Sequence, residues 1–171
     1  MPAALATDHR AARADRIRDL LERRGLGAAM LRTVSNFAWF TGGGDSRVDH
    51  SNPLGIADIV ITADSAFVLA SSIETPRMRA EQAVGMEVVE FPWHDGPDEI
   101  LRDLIGGAPW GSDVPLPAAV SNLSGALARM RRVLDADAIA QLDVVGADAS
   151  AAIAEAAAKV EPGVDEHSIA G

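Results

Sequence analysis

Apolar and polar positions along this chain alternate between two periods. Ile17, Leu20 and Leu21 recur at i, i+3, i+4 with Arg and Asp between them. That spacing predicts a one-sided helix, capped by Thr7 or Asp8 and stopped by Gly25. Residues 27–32 are nearly continuous in apolar character and predict a buried strand. Ser35 and Asn36 are placed to cap one or two helical turns carrying Phe37, Trp39 and Phe40, and Gly42, Gly43 and Gly44 then break the pattern. Residues 55–62 and 66–71 predict two strands separated only by Ala63, Asp64 and Ser65, which makes them a hairpin. A helix is expected over 74–84, with Pro76 tolerated in its first turn, then a strand over 87–91 and a short helix over 97–105. Residues 110–114 are expected to form a short edge strand, and Ser121 or Asn122 to cap a helix presenting Leu123, Leu127 and Met130.

Strands alternating with helices, with one hairpin among them, predict an α/β domain: three layers, α/β/α, around a mixed sheet of about five strands. The last forty residues differ. Residues 134–160 are rich in Ala, and Ile139, Leu142, Val145, Ala149, Ile153, Ala156 and Val160 drift along one face at helical spacing. One long helix is expected there, needing a partner for its apolar side. Glu161, Pro162 and Gly163 end it, and Asp165 is placed to cap a further short helix over 166–170. Helices that short are not stable alone, so the expectation is a chain that ends inside a second domain.

Composition narrows the classes. At 171 residues with 48% apolar content the chain buries a core. It has no Cys, which removes disulfides and thiolate metal sites. A net charge of −10 argues against nucleic acid as a partner. No stretch approaches the roughly 20 apolar residues of a membrane span, and residues 1–16 do not read as a secretion signal, so a cytoplasmic location is expected. Fourteen of the fifteen basic residues are Arg, which reads as codon bias. The run Arg10, Arg13, Arg16, Arg18, Arg23 and Arg24, interleaved with Asp15, Asp19 and Glu22, reads as a solvated face.

Candidate chemistry is thin. Asp49-His50 and His94-Asp95 invite a metal reading, but neighbours on a strand point to opposite faces and no further ligand stands nearby. The glycine run lacks G-x-G-x-x-G and G-K-[ST], so nucleotide binding is not supported. No G-x-S-x-G accompanies any Ser-His-Asp set. Trp93 and Trp110 flank short loops and are expected to pack, with a dimer interface as the other place for them.

Two segments carry a resemblance. Asn36-Phe37-Ala38-Trp39-Phe40-Thr41-Gly42, after an apolar strand, resembles the N-x-x-Y-x-T-G signature of the creatinase/prolidase N-terminal domain. The stretch from Arg131 looks like that family's entry into its pita-bread catalytic domain, where R-x-V-K-x-x-x-E-I opens an Ala-rich helix ending in P-G-x-T-E. Here Arg132-Val133-Leu134-Asp135-Ala136-Asp137-Ala138-Ile139 and Pro162-Gly163-Val164-Asp165-Glu166 occupy those places. Trp39 and Phe40 stand where the family commonly has Tyr and Leu, Leu134 replaces Lys, Ala138 replaces Glu, and Asp165 takes the capping role of Thr.

The resemblance implies a ribonuclease H-like N-terminal domain over 1–132, with the start of the catalytic domain over 133–171. It implies a full-length metallopeptidase cleaving Xaa-Pro bonds with two divalent ions (Mn, Co or Zn), whose Asp, Asp, His, Glu and Glu ligands lie beyond this segment. No catalytic or metal-binding residue is therefore assigned within it, and the segment alone is expected to be inactive. A homodimer is implied, in which the loop after Thr41-Gly42 reaches the partner subunit's active site. Arg47 is then expected to hold a peptide substrate's carboxylate, with His50 as a further donor. The alternative is creatinase-like C–N hydrolysis or a catalytically inactive binding scaffold.

Overall fold

The computed structural model describes residues 3–170. The chain divides into two compact units, residues 1–131 and 132–171.

The first unit opens with α1 (Ala3–Arg24), then β1 (Ala28–Thr33) and α2 (Val34–Thr41). The hairpin β2 (Leu54–Thr62) and β3 (Ala66–Ser71) follows, then one turn of helix, α3 (Thr75–Arg77), that widens into a π-helical turn over Met78–Gln82. β4 (Glu87–Phe91), α4 (Asp98–Ile105), β5 (Trp110–Ser112), β6 (Ser121–Asn122) and α5 (Ser124–Arg131) complete it. The sheet is mixed and six-stranded, in the order β4-β3-β2-β1-β5-β6. Only β2 runs against its neighbours: it is antiparallel to β1 and β3, while β1–β5, β3–β4 and β5–β6 are parallel.

Both faces of the central strands are apolar, as a three-layer arrangement requires. Ala29 and Leu31 of β1, Ile59 and Ile61 of β2, and Val68 and Ala70 of β3 pack with Ile17 and Leu21 of α1, Phe37 and Phe40 of α2, Met78 of the π-turn and Leu127 of α5. Ala28, Met30, Val60 and Leu69, one position out of phase, pack on Leu101 and Ile105 of α4.

Several local expectations are corrected by this packing. Thr7 and Asp8 lie inside α1, past its first turn, rather than at its start. Thr33, not Ser35 or Asn36, caps α2: its side chain accepts from the Asn36 N–H. The helix expected over 74–84 closes early in the π-turn, which ends with the Ala83 N–H donating to Met78 O. β5 is an inner strand, and the edge belongs to β6, a two-residue strand too short to announce itself in sequence. Asn122 still serves the following helix, its Oδ1 accepting from the Ser124 N–H at 2.8 Å.

The arginine stripe of α1 is a solvated face only in part: Arg23 and Arg24 are exposed, Arg10, Arg16 and Arg18 are half-buried, and Arg13 is buried. Its guanidiniums donate to main-chain carbonyls where other elements end: Arg10 to Val84, Arg13 to Trp39, Arg16 to Met130, Arg18 to Thr62 and Arg24 to Asn122. Arg13 is buried, and its guanidinium carbon lies 5.8 Å from the centre of the Trp39 ring. Carbonyls at helix and strand ends receive no donor from within their own element, so long forked donors suit them. Arg23 is exposed, as expected of a solvated position.

The second unit holds α6 (Ala136–Ala158) and α7 (Glu166–Ala170). Asp135 caps α6, accepting from the Ala138 N–H at 2.8 Å, and Asp165 caps α7, accepting from the Ser168 N–H at 3.0 Å. Ile139, Leu142, Val145, Ile153 and Val160 are exposed. Among the described residues no helix is long and apolar enough to cross a membrane.

Candidate functional site

Because β2 alone is reversed, the carboxyl ends of the other strands and the start of β2 share one edge of the sheet. The segment between α2 and β2, residues 42–53, crosses that edge. Three groups of polar residues assemble there.

The first fixes the start of α2. Asp113, buried just past β5, accepts from the Arg32 N–H at 2.8 Å through Oδ1. Its Oδ2 accepts from the Thr33 N–H at 2.9 Å, the Thr33 hydroxyl at 2.7 Å and Asn36 Nδ2 at 2.6 Å. Asn36 Oδ1 in turn accepts from Arg131 Nη1 of α5. The asparagine of the N-x-x-W-x-T-G stretch thus joins β1, the chain leaving β5 and α5. Thr41 and Gly42 end the same helix. Thr41 Oγ1 donates to Phe37 O at 2.8 Å and accepts from the Gly44 N–H at 2.9 Å, while Gly42 takes a left-handed φ of 83° that closes the helix.

The second group clamps the loop. Arg77 Nη2 donates to Asp45 O at 2.7 Å and to Arg47 O at 3.2 Å. Gln82 Oε1 accepts from the Asp45 N–H at 2.8 Å, and Ser46, fully buried, accepts from the Ile56 N–H at 2.9 Å through its carbonyl. These bonds hold the loop by its backbone, while Asp45, Asp49 and Asn52 brace it from within through their side chains. Arg47 is half-buried, and its guanidinium has no hydrogen-bonding partner among the described residues. His50 is exposed three residues on, in a turn organised by Asp49. Ser51 donates to Asp49 Oδ1 through its hydroxyl at 2.7 Å and its N–H at 2.8 Å, which holds the Asp49 carboxyl below the usual carboxylate range. Arg47 and His50 therefore lie on one clamped loop.

The third group lies on the α4 side. Arg32 Nε donates to Asp58 Oδ1 at 3.2 Å, and burial pushes the Asp58 carboxyl up to about 6 against the lowering pull of Arg32. No local pattern marked Asp113, Arg77 or the Arg32–Asp58 pair, whose partners stand tens of residues away. The one available signal for Arg32–Asp58 was an Arg and an Asp inside otherwise apolar strands.

The remaining candidates separate from this edge chemistry. His94 and Asp95 are exposed, with Nε2 and Oδ2 3.6 Å apart. Among the described residues no three His, Cys, Asp or Glu side chains gather where they would hold a metal ion. Trp110 packs on the α4-side core as expected, whereas Trp93 does not pack: it is 64% exposed and meets His94 edge-on.

Comparison with known proteins places this geometry. The family model of the creatinase/prolidase N-terminal domain matches residues 13–145. Among solved structures, the prolidase from Pyrococcus horikoshii OT3 superposes with a TM-score of 0.69 at 18% identity, over 92% of this chain and 45% of its own. The Xaa-Pro dipeptidase from Bacillus anthracis does so with 0.69 at 17%, over 94% and 46%. Dipeptidase PepE from Mycobacterium ulcerans gives 0.70 at 20%, over 96% and 47%. The chain thus spans less than half the length of these three. No curated protein matches it.

Proposed function

The chain belongs to the creatinase/prolidase N-terminal domain family, and from that premise we propose that it is the accessory half of a peptidase that cleaves Xaa-Pro bonds. The match across residues 13–145 carries the reading, and solved chains of the same fold bear the names prolidase and Xaa-Pro dipeptidase. The described residues do not fit a dinuclear metal site, since no carboxylate and imidazole cluster exists among them. In this reading the divalent ions (Mn, Co or Zn) and their ligands belong to sequence outside this segment. Bound there, they would supply an activated water and charge stabilisation.

What this half contributes is position. A loop whose backbone is clamped by Arg77, Gln82 and β2 presents the unpaired Arg47 guanidinium at the carboxyl edge of the sheet. We assign Arg47 to the substrate's carboxylate and His50 to a supporting donor, acting in a homodimer on the partner subunit's active site. A planar fork matches a carboxylate in two parallel hydrogen bonds, which a flexible point charge does not.

The test uses the full-length polypeptide with Xaa-Pro dipeptides in the presence of Mn, Co or Zn. Hydrolysis is expected, and Arg47→Ala should lower kcat/KM for dipeptides about tenfold or more, mostly through KM. Absence of Xaa-Pro hydrolysis with every metal would reject the peptidase reading and leave creatinase-like hydrolysis or a binding scaffold. Hydrolysis unaffected by Arg47→Ala would keep the peptidase and remove Arg47 from it.

A further inference from the structure

We propose that the groove between β1, β5 and α4 binds a small monocarboxylate carrying an apolar body, with Arg32 as its anion contact. The inference is independent of the Xaa-Pro reading and concerns a different face of the sheet from the core that buries α2.

The groove encloses about 440 Å³ and is lined by Met30, Arg32, Leu101, Ile105, Trp110 and Leu116, with Asp98 and Arg102 of α4 also on its wall. That volume falls in the range of small-molecule sites, which are mostly apolar with a few placed polar groups. Met30, Leu101 and Ile105 are buried and form an apolar floor. Arg32 is the charged residue that the sheet itself contributes to the lining. One of its five N–H groups is spent on Asp58. Its two terminal nitrogens, with four N–H groups, have no partner among the described residues, and the side chain is 30% exposed. The Asp58 bond fixes the guanidinium through Nε and leaves the Nη1–Nη2 edge open, and that edge carries two parallel N–H groups able to hold a carboxylate in bidentate fashion.

Topology agrees with the chemistry. β1 and β5 are adjacent and parallel, yet the chain leaves them toward opposite faces. α2 packs on one face through Phe37 and Phe40, and the segment after β5 packs on the other through Leu116. Open α/β sheets bind ligands at such a divergence, near the carboxyl ends of the strands; the groove runs along the sheet face from Trp110, and its Arg32 end lies there. Asp113, which also stands there, has its oxygens committed to Arg32 N, Thr33 and Asn36, so it does not compete for the guanidinium's free edge.

The probe is 3-phenylpropionate, titrated into the full chain and followed by the backbone amide signals of β1, α4, Asp113, Val114, Leu116 and Ala118. Saturable shifts confined to those residues are expected. Acetate, which lacks the apolar body, and 3-phenylpropanol, which lacks the charge, should each bind at least about tenfold more weakly. Arg32→Gln should weaken 3-phenylpropionate about tenfold or more. Because that variant strips a buried carboxylate of its partner, Leu116→Glu, which leaves the ion pair intact and sets a negative charge in the groove, is run beside it and should abolish binding. Equal binding of acid and alcohol, shifts scattered over other surfaces, or binding unchanged by Leu116→Glu would overturn the proposal.

Discussion

Asn36 Nδ2 donates to Asp113 Oδ2 at 2.6 Å, joining residues 77 positions apart. Both side chains are buried. With Thr33 and Arg131 they make one network in which the asparagine carbonyl and amide each have a partner. Satisfied networks of this kind fix one arrangement of the elements they join, and partly satisfied ones are costly.

Asp113→Ala should therefore be among the most damaging single changes in the first unit. It orphans two main-chain N–H groups, the Thr33 hydroxyl and Asn36 Nδ2, without supplying water. A loss of about 3 kcal/mol or more is expected in urea unfolding, since each unmet buried group costs about 1–3 kcal/mol and the costs partly overlap. Asp113→Asn, which retains one acceptor oxygen, should lose less. A loss below about 1 kcal/mol for Asp113→Ala would contradict the network's role.

The reach of sequence reading follows from these same residues. The hairpin β2–β3, the helix α4 and the caps at Asp165 and Gly42 depend on neighbours within a few positions, and each is visible in a short window. The Thr41-Gly42 pair was visible as a signature, and the structure gives its physical cause in helix closure. Asp113 was not visible, because its four donors come from residues 32–36 and nothing beside it in the chain distinguishes it. The tertiary bonds of the α1 arginines are hidden in sequence for a related reason. A stripe of Arg interleaved with Asp looks the same whether the forks end in water or on the carbonyls of four other elements and a turn, and only the tertiary fold decides. Trp93 shows the converse: an aromatic flanking a short loop is expected to pack, yet it lies past the end of the edge strand β4 and is 64% exposed.

Those carbonyl contacts predict an uneven alanine scan of α1. Arg13→Ala removes a buried guanidinium donating to Trp39 O and lying over the Trp39 ring, and should cost about 2 kcal/mol in thermal or urea unfolding. Arg23→Ala, at an exposed position, should stay within about 0.5 kcal/mol. Equal effects at the two positions would restore the solvated-face reading.

The glycine loop makes a sharper contrast. A Cβ at Gly44 would stand 2.1 Å from Gln82 O, a backbone atom of the π-turn that has no room to yield. Gly44→Ala should push the loop off the π-turn, break the Asp45–Gln82 contact and cost about 2–3 kcal/mol. At Gly43 a Cβ meets nothing within 4 Å, but φ is 119°, so Gly43→Ala carries backbone strain alone, about 1–2 kcal/mol. Hydrogen exchange at Asp45 N–H separates them: Gly44→Ala should accelerate it strongly and Gly43→Ala weakly. Equal acceleration in both would mean that the loop is not seated on the π-turn.

The last prediction concerns pH. Burial raises the Asp58 carboxyl from 3.8 to about 6, so the folded protein holds this proton more tightly than the unfolded chain. Below about pH 3.8 both states carry the proton and the group contributes no difference. As pH rises toward about 6 the unfolded chain releases it first, and stability falls by roughly 1.4 kcal/mol per pH unit. Above about 6 the full penalty of about 3 kcal/mol stands. Arg32 reduces that penalty without cancelling it, because desolvation of the buried carboxylate outweighs their 3.2 Å pairing. Asp58→Asn removes the titration while keeping the shape. Other carboxylates impose their own pH dependence on both proteins, so the difference between wild type and variant is the quantity to read. From about pH 4 to about pH 7 the variant should gain about 2.4 kcal/mol relative to wild type in urea unfolding, most of the full penalty. A difference that stays flat across that window would mean that Asp58 is ionised at little cost and that solvent or Arg32 compensates it fully.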